Sequence, residues 1–295
     1  MPKGWWRRSP AEYNWDVPKI AFATCRVIPE PDPDEAPLLA ACREAGLDVQ
    51  MAGWDDNKVD WSKFDIVVPR STWNYYEHEA SFRAWVTKVA RTSKLWNPRP
   101  LILRTLDKRY LLELEARGIE IVPTRLVTSA EDLPNLINSL GWDQFVIKPT
   151  VSAASFMTRK FDWSDIDEAV RFLRQVLQGR LAMVQQYMTR VEKDGEINIV
   201  HIDGARSHAI FKYPRYHGGV EDVADAVCPI TAEQAAVAEA VMDTVTEPWL
   251  YARVDLMEKE SGQWVLSELE VIEPSLFFVQ HPPALDRFVK ALSRL

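Results

Sequence analysis

Two apolar runs near the C-terminus carry carboxylates at alternating positions: Asp255 within Tyr251–Met257, then Glu268 and Glu270 within Ser267–Leu276. A strand has a side-chain period of two, so residues spaced this way share one face. Oxygen ligands so arranged suit a hard divalent cation of the kind that accompanies nucleotide phosphates, magnesium above all. A solvated acidic strand face has the same pattern, and these residues alone leave both readings open.

Two further groups could do chemistry. Arg70-Ser71-Thr72-Trp73 follows the apolar run Phe64–Val68 at a strand-to-helix junction. There Arg70 could clamp a small anion as a bidentate donor, with Ser71 and Thr72 beside it; equally, Ser71 or Thr72 could cap the helix while Trp73 packs. Lys148 ends the apolar run Gln144–Pro149 and is followed by the small residues Thr150–Ser155. A lysine delivered to a strand end presents a fixed positive charge to phosphate, and backbone N–H groups of a small-residue loop could fold over it. A solvent-facing terminal lysine is the plainer alternative.

The elements that must position these groups read as an α/β chain. Strands at Lys19–Cys25, Asp48–Trp54 and Phe64–Val68 alternate with helices over 35–45 and 77–91, which predicts a parallel layer with ligands at the strands' carboxyl ends. Asn97-Pro-Arg-Pro100 reads as an extended linker, followed by a helix from Leu106 to Gly118 and a strand over Ile119–Thr124. Beyond lie a helix over 130–140, the Lys148 strand, a helix over 164–177 and a strand at Leu181–Tyr187. Glu196–Asp203, Gly204 and Ser207–Lys212 form a hairpin pattern; helices over 231–245 and 283–295 flank the carboxylate strands. Tyr213–Asp225, with Gly218-Gly219 inside, reads as a substrate-facing loop.

Bulk properties restrict the function classes. With 295 residues and 47% hydrophobic composition the chain can bury cores for about two lobes. The net charge of −8 argues against a nucleic-acid surface. No apolar run approaches the roughly 18 residues that cross a bilayer, and the first residues lack the apolar centre of a signal peptide, so the cytoplasm is expected. Cys25, Cys42 and Cys228 give neither a metal pattern nor a disulfide framework. Trp5, Trp6 and Trp15 crowd an N-terminal arm that would pack on its own domain or on a partner.

In order along the chain, these motifs resemble the ATP-grasp superfamily. The likeness is strongest to the branch holding glutathione-synthetase-like ligases and the D-cycloserine-forming cyclo-ligase. The pieces are Arg-Ser-Thr-Trp at 70–73, Leu-Asp-Lys-Arg-Tyr-Leu at 106–111, Val-Ile-Lys-Pro at 146–149 and Val-Gln-Gln-Tyr at 184–187. They continue with Gly195-Glu196, Ser-His-Ala at 207–209 with Lys212, Arg-Val-Asp-Leu at 253–256 and Glu-Leu-Glu-x-x-Glu-Pro-Ser-Leu at 268–276.

The resemblance implies an N-terminal α/β substrate-side domain over 19–99 after the arm 1–18, a central lobe over 100–180 and a metal-bearing lobe over 181–295. ATP would lie between the last two. Lys108 and Lys148 would bind nucleotide phosphates with Ser152, Gln185, Gln186, Tyr187 and Met188 would border adenine, and Glu196 would accept from the ribose. Asp255, Glu268 and Glu270 would hold magnesium, two ions being expected and manganese a substitute. Glu270 stands where many relatives have asparagine. Arg253, Lys148 and Lys212 would serve the transferring phosphoryl group, while Arg70, Ser71, Thr72, Arg215 and Ser275 would face the substrate. Arg215 could equally be solvated.

The implied reaction is ATP-dependent activation of a small amino-acid-like carboxylate as an acyl phosphate, then attack by nitrogen, within one molecule or between two. Alternatives on the same scaffold are a nucleotide-binding module without ligase activity, or a small-molecule kinase. A homodimer accords with the resemblance. One departure stands out: relatives carry glycines in the phosphate loop where this chain has Ser152-Ala-Ala-Ser155.

Overall fold

The computed structural model describes residues 17–213 and 222–295. The tryptophans of the N-terminal arm, and Arg215 with the Gly218-Gly219 pair, lie outside these. The chain forms a mixed α/β fold around three sheets. The first is parallel, with strands β1 (Lys19–Thr24), β2 (Asp48–Gly53), β3 (Ile66–Ser71) and β4 (Lys94–Leu95) in the order β2-β1-β3-β4. Helices α1 (Glu35–Glu44) and α2 (Glu79–Thr92) connect its strands. β3 is buried at every position, which is why its apolar run shows no alternation: a parallel strand is covered on both faces.

Between the first and second sheets the structure departs from the sequence reading. The segment 97–100 is no extended linker, because helix α3 (Arg99–Thr105) starts there, with Pro98 in the capping position and Pro100 inside the first turn. The first-turn N–H groups have no intrahelical acceptor, so proline loses nothing there. The helix expected from Leu106 is also interrupted. Helix α4 spans only Tyr110–Ala116, and the Lys108 N–H donates instead to the Thr150 carbonyl at 2.7 Å. That outward bond aims Lys108 at the loop after β6.

The second sheet is antiparallel: β5 (Thr124–Val127), β6 (Gln144–Pro149), β7 (Arg159–Asp162) and β8 (Ala182–Gln186) lie in the order β5-β8-β6-β7. Helices α5 (Leu133–Leu140) and α6 (Ile166–Val176) pack on it. The predicted strand over 119–124 is only an isolated bridge from Ile121 to Leu266, and β5 begins where that prediction ended.

The third sheet follows the short helix α7 (Val191–Asp194). Its strands β9 (Glu196–Ile202), β10 (Ala205–Tyr213), β11 (Asp222–Val223), β12 (Tyr251–Glu258) and β13 (Trp264–Glu270) run antiparallel in the order β11-β10-β9-β12-β13. The β9–β10 hairpin turns on Asp203 and Gly204, both at positive φ (50° and 75°), the pair of left-handed conformations that a two-residue turn needs to match strand twist. Helix α8 (Ala232–Met242) opens with a capping box between Thr231 and Gln234. Helix α9 (Pro282–Leu292) closes the chain.

Two of the cores mix the first and third sheets: Ile20, Phe22 and Val68 pack with Val200, Ile202 and Phe288, and Ala21, Val67 and Phe82 belong with Ile197, Val254 and Leu266. The second sheet has its own core, including Phe145, Ile147, Leu173 and Val184. Among the described residues no helix is long and apolar enough to cross a membrane.

Asn97 joins the first and third sheets. Fully buried, its Nδ2 donates to the carbonyls of Tyr251 and Val271, both at 2.7 Å, and its Oδ1 accepts from the Leu250 N–H at 2.7 Å. Asn97→Leu would leave three backbone groups without partners in a dry interior. Each such group costs about 1–3 kcal/mol, so the variant should lose at least about 3 kcal/mol of unfolding free energy in urea titration. A loss below about 1 kcal/mol would show that the amide is not the clamp.

Candidate active site

The register of β12 and β13 sets Asp255 opposite Glu268 and Arg253 opposite Glu270. The Arg253 guanidinium then binds both acids near it. Nε and Nη2 donate to the two oxygens of Asp255, each at 2.8 Å, and Nη2 also lies 2.9 Å from Glu270 Oε2. Its third arm, Nη1, donates to the Ser275 carbonyl at 3.3 Å. This fork-on-carboxylate geometry is the strong form of a charge-assisted hydrogen bond.

Glu268 faces the other way. Lys148 Nζ from β6 lies 3.0 Å from its Oε1, and Lys108 Nζ is 3.5 Å from its Oε2. Lys108 also donates to the Ser152 carbonyl at 2.6 Å, so one ammonium joins Glu268 to the loop after β6. Glu196 completes the cluster. It accepts from Asn198 Nδ2 at 2.9 Å and Ser267 Oγ at 3.1 Å, and Lys212 Nζ is 3.5 Å away. Helix α4 is tied into the same strand, because the Tyr110 hydroxyl accepts the Leu269 N–H at 2.7 Å.

Burial dominates the electrostatics of these acids. It would raise Glu268, but Lys108 and Lys148 outweigh it and hold the carboxyl well below the usual carboxylate range. Burial raises Glu270 well above that range despite Arg253, with Asp255 and Glu268 adding like charge. Burial likewise raises Glu196 against the pull of Lys212. The cluster therefore holds more negative charge than its own cations neutralise comfortably. Among the described residues no three His, Cys, Asp or Glu side chains converge as a ready-made metal cage; each acid turns to a basic group instead.

At the end of β8, Gln185 Nε2 donates to Thr124 Oγ1 at 2.8 Å, while the Gln186 N–H donates to the Pro123 carbonyl and continues the sheet. The Tyr187 hydroxyl donates to Glu192 at 2.7 Å, and Lys160 sits 3.9 Å above its ring. Met188 is buried against Val122 and Val265 where the second and third sheets meet.

Arg70 and Ser71 end β3, Thr72 follows them, and all three are buried. The Ser71 hydroxyl donates to Thr24 Oγ1 at 2.8 Å. Arg70 is 1% exposed, lies beneath the rings of Tyr251 and Phe278, and donates through Nη1 to the Pro274 carbonyl at 3.3 Å. Neither hydroxyl caps a helix, since the following turn is capped by Asn74 without a side-chain bond. Sequence reasoning missed Asp34, whose carboxylate accepts the backbone N–H groups of Leu276 (3.0 Å) and Phe278 (2.7 Å) and so fixes the chain just past Ser275. It also passed over Glu273, which stands beyond the end of β13, where strand period no longer assigns a face.

Comparison with known proteins assigns the chain to a family. Residues 20–97 match the family model of the N-terminal domain of D-cycloserine synthetase DcsG. The cycloserine biosynthesis protein DcsG of Streptomyces lavendulae is 32% identical over 291 residues, 93% of this chain and 97% of that one. The crystal structure of D-cycloserine synthetase DcsG superposes with a TM-score of 0.86 at 31% identity, covering 93% and 98% of the two chains. The chain belongs to the D-cycloserine synthetase family of ATP-grasp ligases. A more distant fold relative is the ATP-grasp ligase PsnB in its complex with a precursor variant, Mg and ADP (TM-score 0.62, 14% identity, covering 93% and 99%).

This ATP-grasp ligase forms C–N bonds as its family does, and its loop after β6 is unusual in its backbone. The loop lacks glycine yet still uses left-handed backbone, with φ of 49° at Ala154, 58° at Ser155 and 46° at Met157. A Cβ makes that region unfavourable by roughly 1–2 kcal/mol per residue. Glycine would escape this at the cost of a looser unfolded chain. Ala154→Gly should therefore be neutral or stabilising by up to about 1 kcal/mol in thermal or urea unfolding, opposite in sign to the ordinary Ala-to-Gly effect. A loss of about 1 kcal/mol would show that the left-handed turn is not retained in solution.

Proposed function

We infer that the enzyme uses ATP with magnesium to convert the carboxylate of a small amino-acid-like substrate into an acyl phosphate, which a nitrogen nucleophile then attacks to give an amide-type bond, ADP and phosphate. The D-cycloserine in the names of the DcsG relatives is a cyclic compound, and closing such a ring would be the intramolecular form of this chemistry. The observation that carries the reading is the meeting of Lys108, Lys148 and Arg253 with Asp255, Glu268 and Glu270 where the second and third sheets adjoin.

The donor set fits magnesium. Asp255, Glu268 and Glu270 offer only oxygen, on two registered strands, and burial leaves Glu270 short of positive charge despite Arg253. Magnesium bound there would neutralise phosphate oxygens and the charge that develops during transfer. The chain's own groups do the positioning. Lys148 and Lys108, now on Glu268, are placed to move to phosphate oxygens. Arg253 fixes the carboxylates of two strands and, through its bond to Ser275, the turn that would face the substrate. A carboxylate is a poor electrophile, so the work is orientation of acid and nucleotide together with exclusion of water from the activated acid.

Trapping tests the intermediate. Incubated with Mg-ATP, hydroxylamine and a panel of small D- and L-amino acids, the enzyme should release ADP and form the hydroxamate of its acid, read by the ferric complex and by mass. A stable phosphorylated hydroxyl would indicate a kinase, and nucleotide binding without turnover across the panel would favour a binding module.

Glu268→Gln removes the acid that both lysines contact. Loss of several kcal/mol of charge stabilisation corresponds to a fall in kcat on the order of 100-fold or more, with an unchanged circular dichroism spectrum. Activity within threefold of wild type would take Glu268 out of the phosphoryl-transfer site.

A further inference from the structure

Glu273 is the one acid around this cluster for which the described residues supply no counterpart. Asp255 and Glu270 share Arg253, Glu268 takes Lys148 and Lys108, and Glu196 is held by Asn198, Ser267 and Lys212. Glu273 is only 8% exposed, yet its Oε2 is buried without a hydrogen-bond partner. A buried carboxyl oxygen left unsatisfied costs free energy comparable to a lost hydrogen bond, more if the group is charged. Such an atom is retained where a ligand supplies the missing donor.

The backbone that carries Glu273 is fixed on both sides. Trp73 Nε1 donates to the Glu273 carbonyl at 3.1 Å, Arg70 Nη1 to the Pro274 carbonyl and Arg253 Nη1 to the Ser275 carbonyl, both at 3.3 Å. The Tyr251 hydroxyl lies 2.7 Å from the Ile272 carbonyl just before it. Three consecutive carbonyls are thus bound by side chains from β3, the residue after Thr72 and β12. The carboxyl is held at a set point between the N-terminal domain and the phosphoryl-transfer acids and bases. A second unpartnered group, the fully buried Thr72 hydroxyl, is the sequence neighbour of the Trp73 that touches Glu273.

Burial, with the like charge of Glu270 next in weight, pushes the Glu273 carboxyl up to about 8. An arriving cation or N–H donor would reverse that cost, whereas an anion would add to it. The other acids of the cluster already engage bases, whereas Oε2 of Glu273 still lacks a donor.

We propose that Glu273 is a substrate-binding residue that accepts a hydrogen bond from the amino nitrogen of the amino-acid-like substrate and so selects amine-bearing acids. It rests on the ligase reading, since that reading places the acid's carboxylate at the neighbouring cluster. An α-amino acid held by its nitrogen at Glu273 turns its carboxylate toward Lys108 and Arg253, whose charges act on Glu273 directly. An acid lacking the nitrogen leaves Oε2 buried and unsatisfied, a form of discrimination stronger than any loss of apolar contact.

Calorimetric titration of the whole enzyme separates the possibilities. Mg-ADP is added first, then D-cycloserine or N-acetyl-D-cycloserine, to wild type and to E273Q. Wild type should bind D-cycloserine and discriminate against the acetylated form by about tenfold or more, as loss of a hydrogen bond to a charged group predicts. E273Q should bind D-cycloserine about tenfold more weakly, lose the discrimination and keep its affinity for Mg-ADP. Equal affinity of wild type and E273Q for D-cycloserine overturns the proposal, as does a parallel loss of Mg-ADP binding, which would assign Glu273 to the metal. Wild type that binds Mg-ADP but not D-cycloserine overturns it while the ligase reading stands. Failure of wild type to bind Mg-ADP would sink both. The acetylation comparison on wild type decides the matter even if the glutamine variant does not fold.

Discussion

Arg253 lies among buried negative charge from two strands, and the arrangement of the site depends on how it divides its donors. Two arms grip Asp255 within β12, one of them also reaches Glu270 across the strand pair, and the third holds the turn at Ser275. Carboxylates facing one another in a dry interior would repel or protonate. A planar guanidinium with fixed donor directions prevents this and dictates the spacing of the acids, which a lysine's single point charge would not. Arg253 is itself 2% exposed, so its own charge is tolerated only because the acids surround it.

Charge also links the sheets. Glu268 is partly buried and its carboxyl is still held well below the usual carboxylate range, and the groups responsible come from elsewhere in the chain: Lys148 at the end of β6 and Lys108 from the break between α3 and α4. The break is functional geometry. A continuous helix through Leu106–Gly118 would satisfy the Lys108 N–H internally, whereas here it bonds to Thr150 and its ammonium to Ser152. The same side chain thus fixes the loop after β6 and offers positive charge to the acids of β13.

Asp255, Glu268, Glu270 and Lys148 were legible in the sequence because each lies in or at the end of a strand whose alternation or apolar run declares it, whereas Lys108 entered only through the family resemblance. What lay outside regular structure was not. Asn97 looks like a linker residue between prolines, but a side-chain amide that bonds three distant backbone groups leaves no local signature. Asp34 and Glu273 lie in or beside loops where no period assigns a direction, and their contacts come from segments 200 or more residues distant. The helix starting at Arg99 was hidden because its prolines, read as breakers, occupy its cap and first turn.

The second sheet's separate core has a kinetic consequence. Its apolar residues pack among themselves, and it meets the third sheet through Val122, Met188 and Val265, through backbone bonds of Val122 and Glu120 to Leu266, and through Lys148 on Glu268. The first and third sheets share two cores and the Asn97 clamp. Separating the second sheet from the rest breaks the Lys148–Glu268 pair and the bonds of Lys108 to Thr150 and Ser152 and draws Val151 out of the shared core, but leaves the second sheet's own core intact, the pattern of a local opening that precedes global unfolding. Lys148 rides on the body that leaves. The pair it forms with Glu268 is therefore a latch between the two bodies, broken in any such opening.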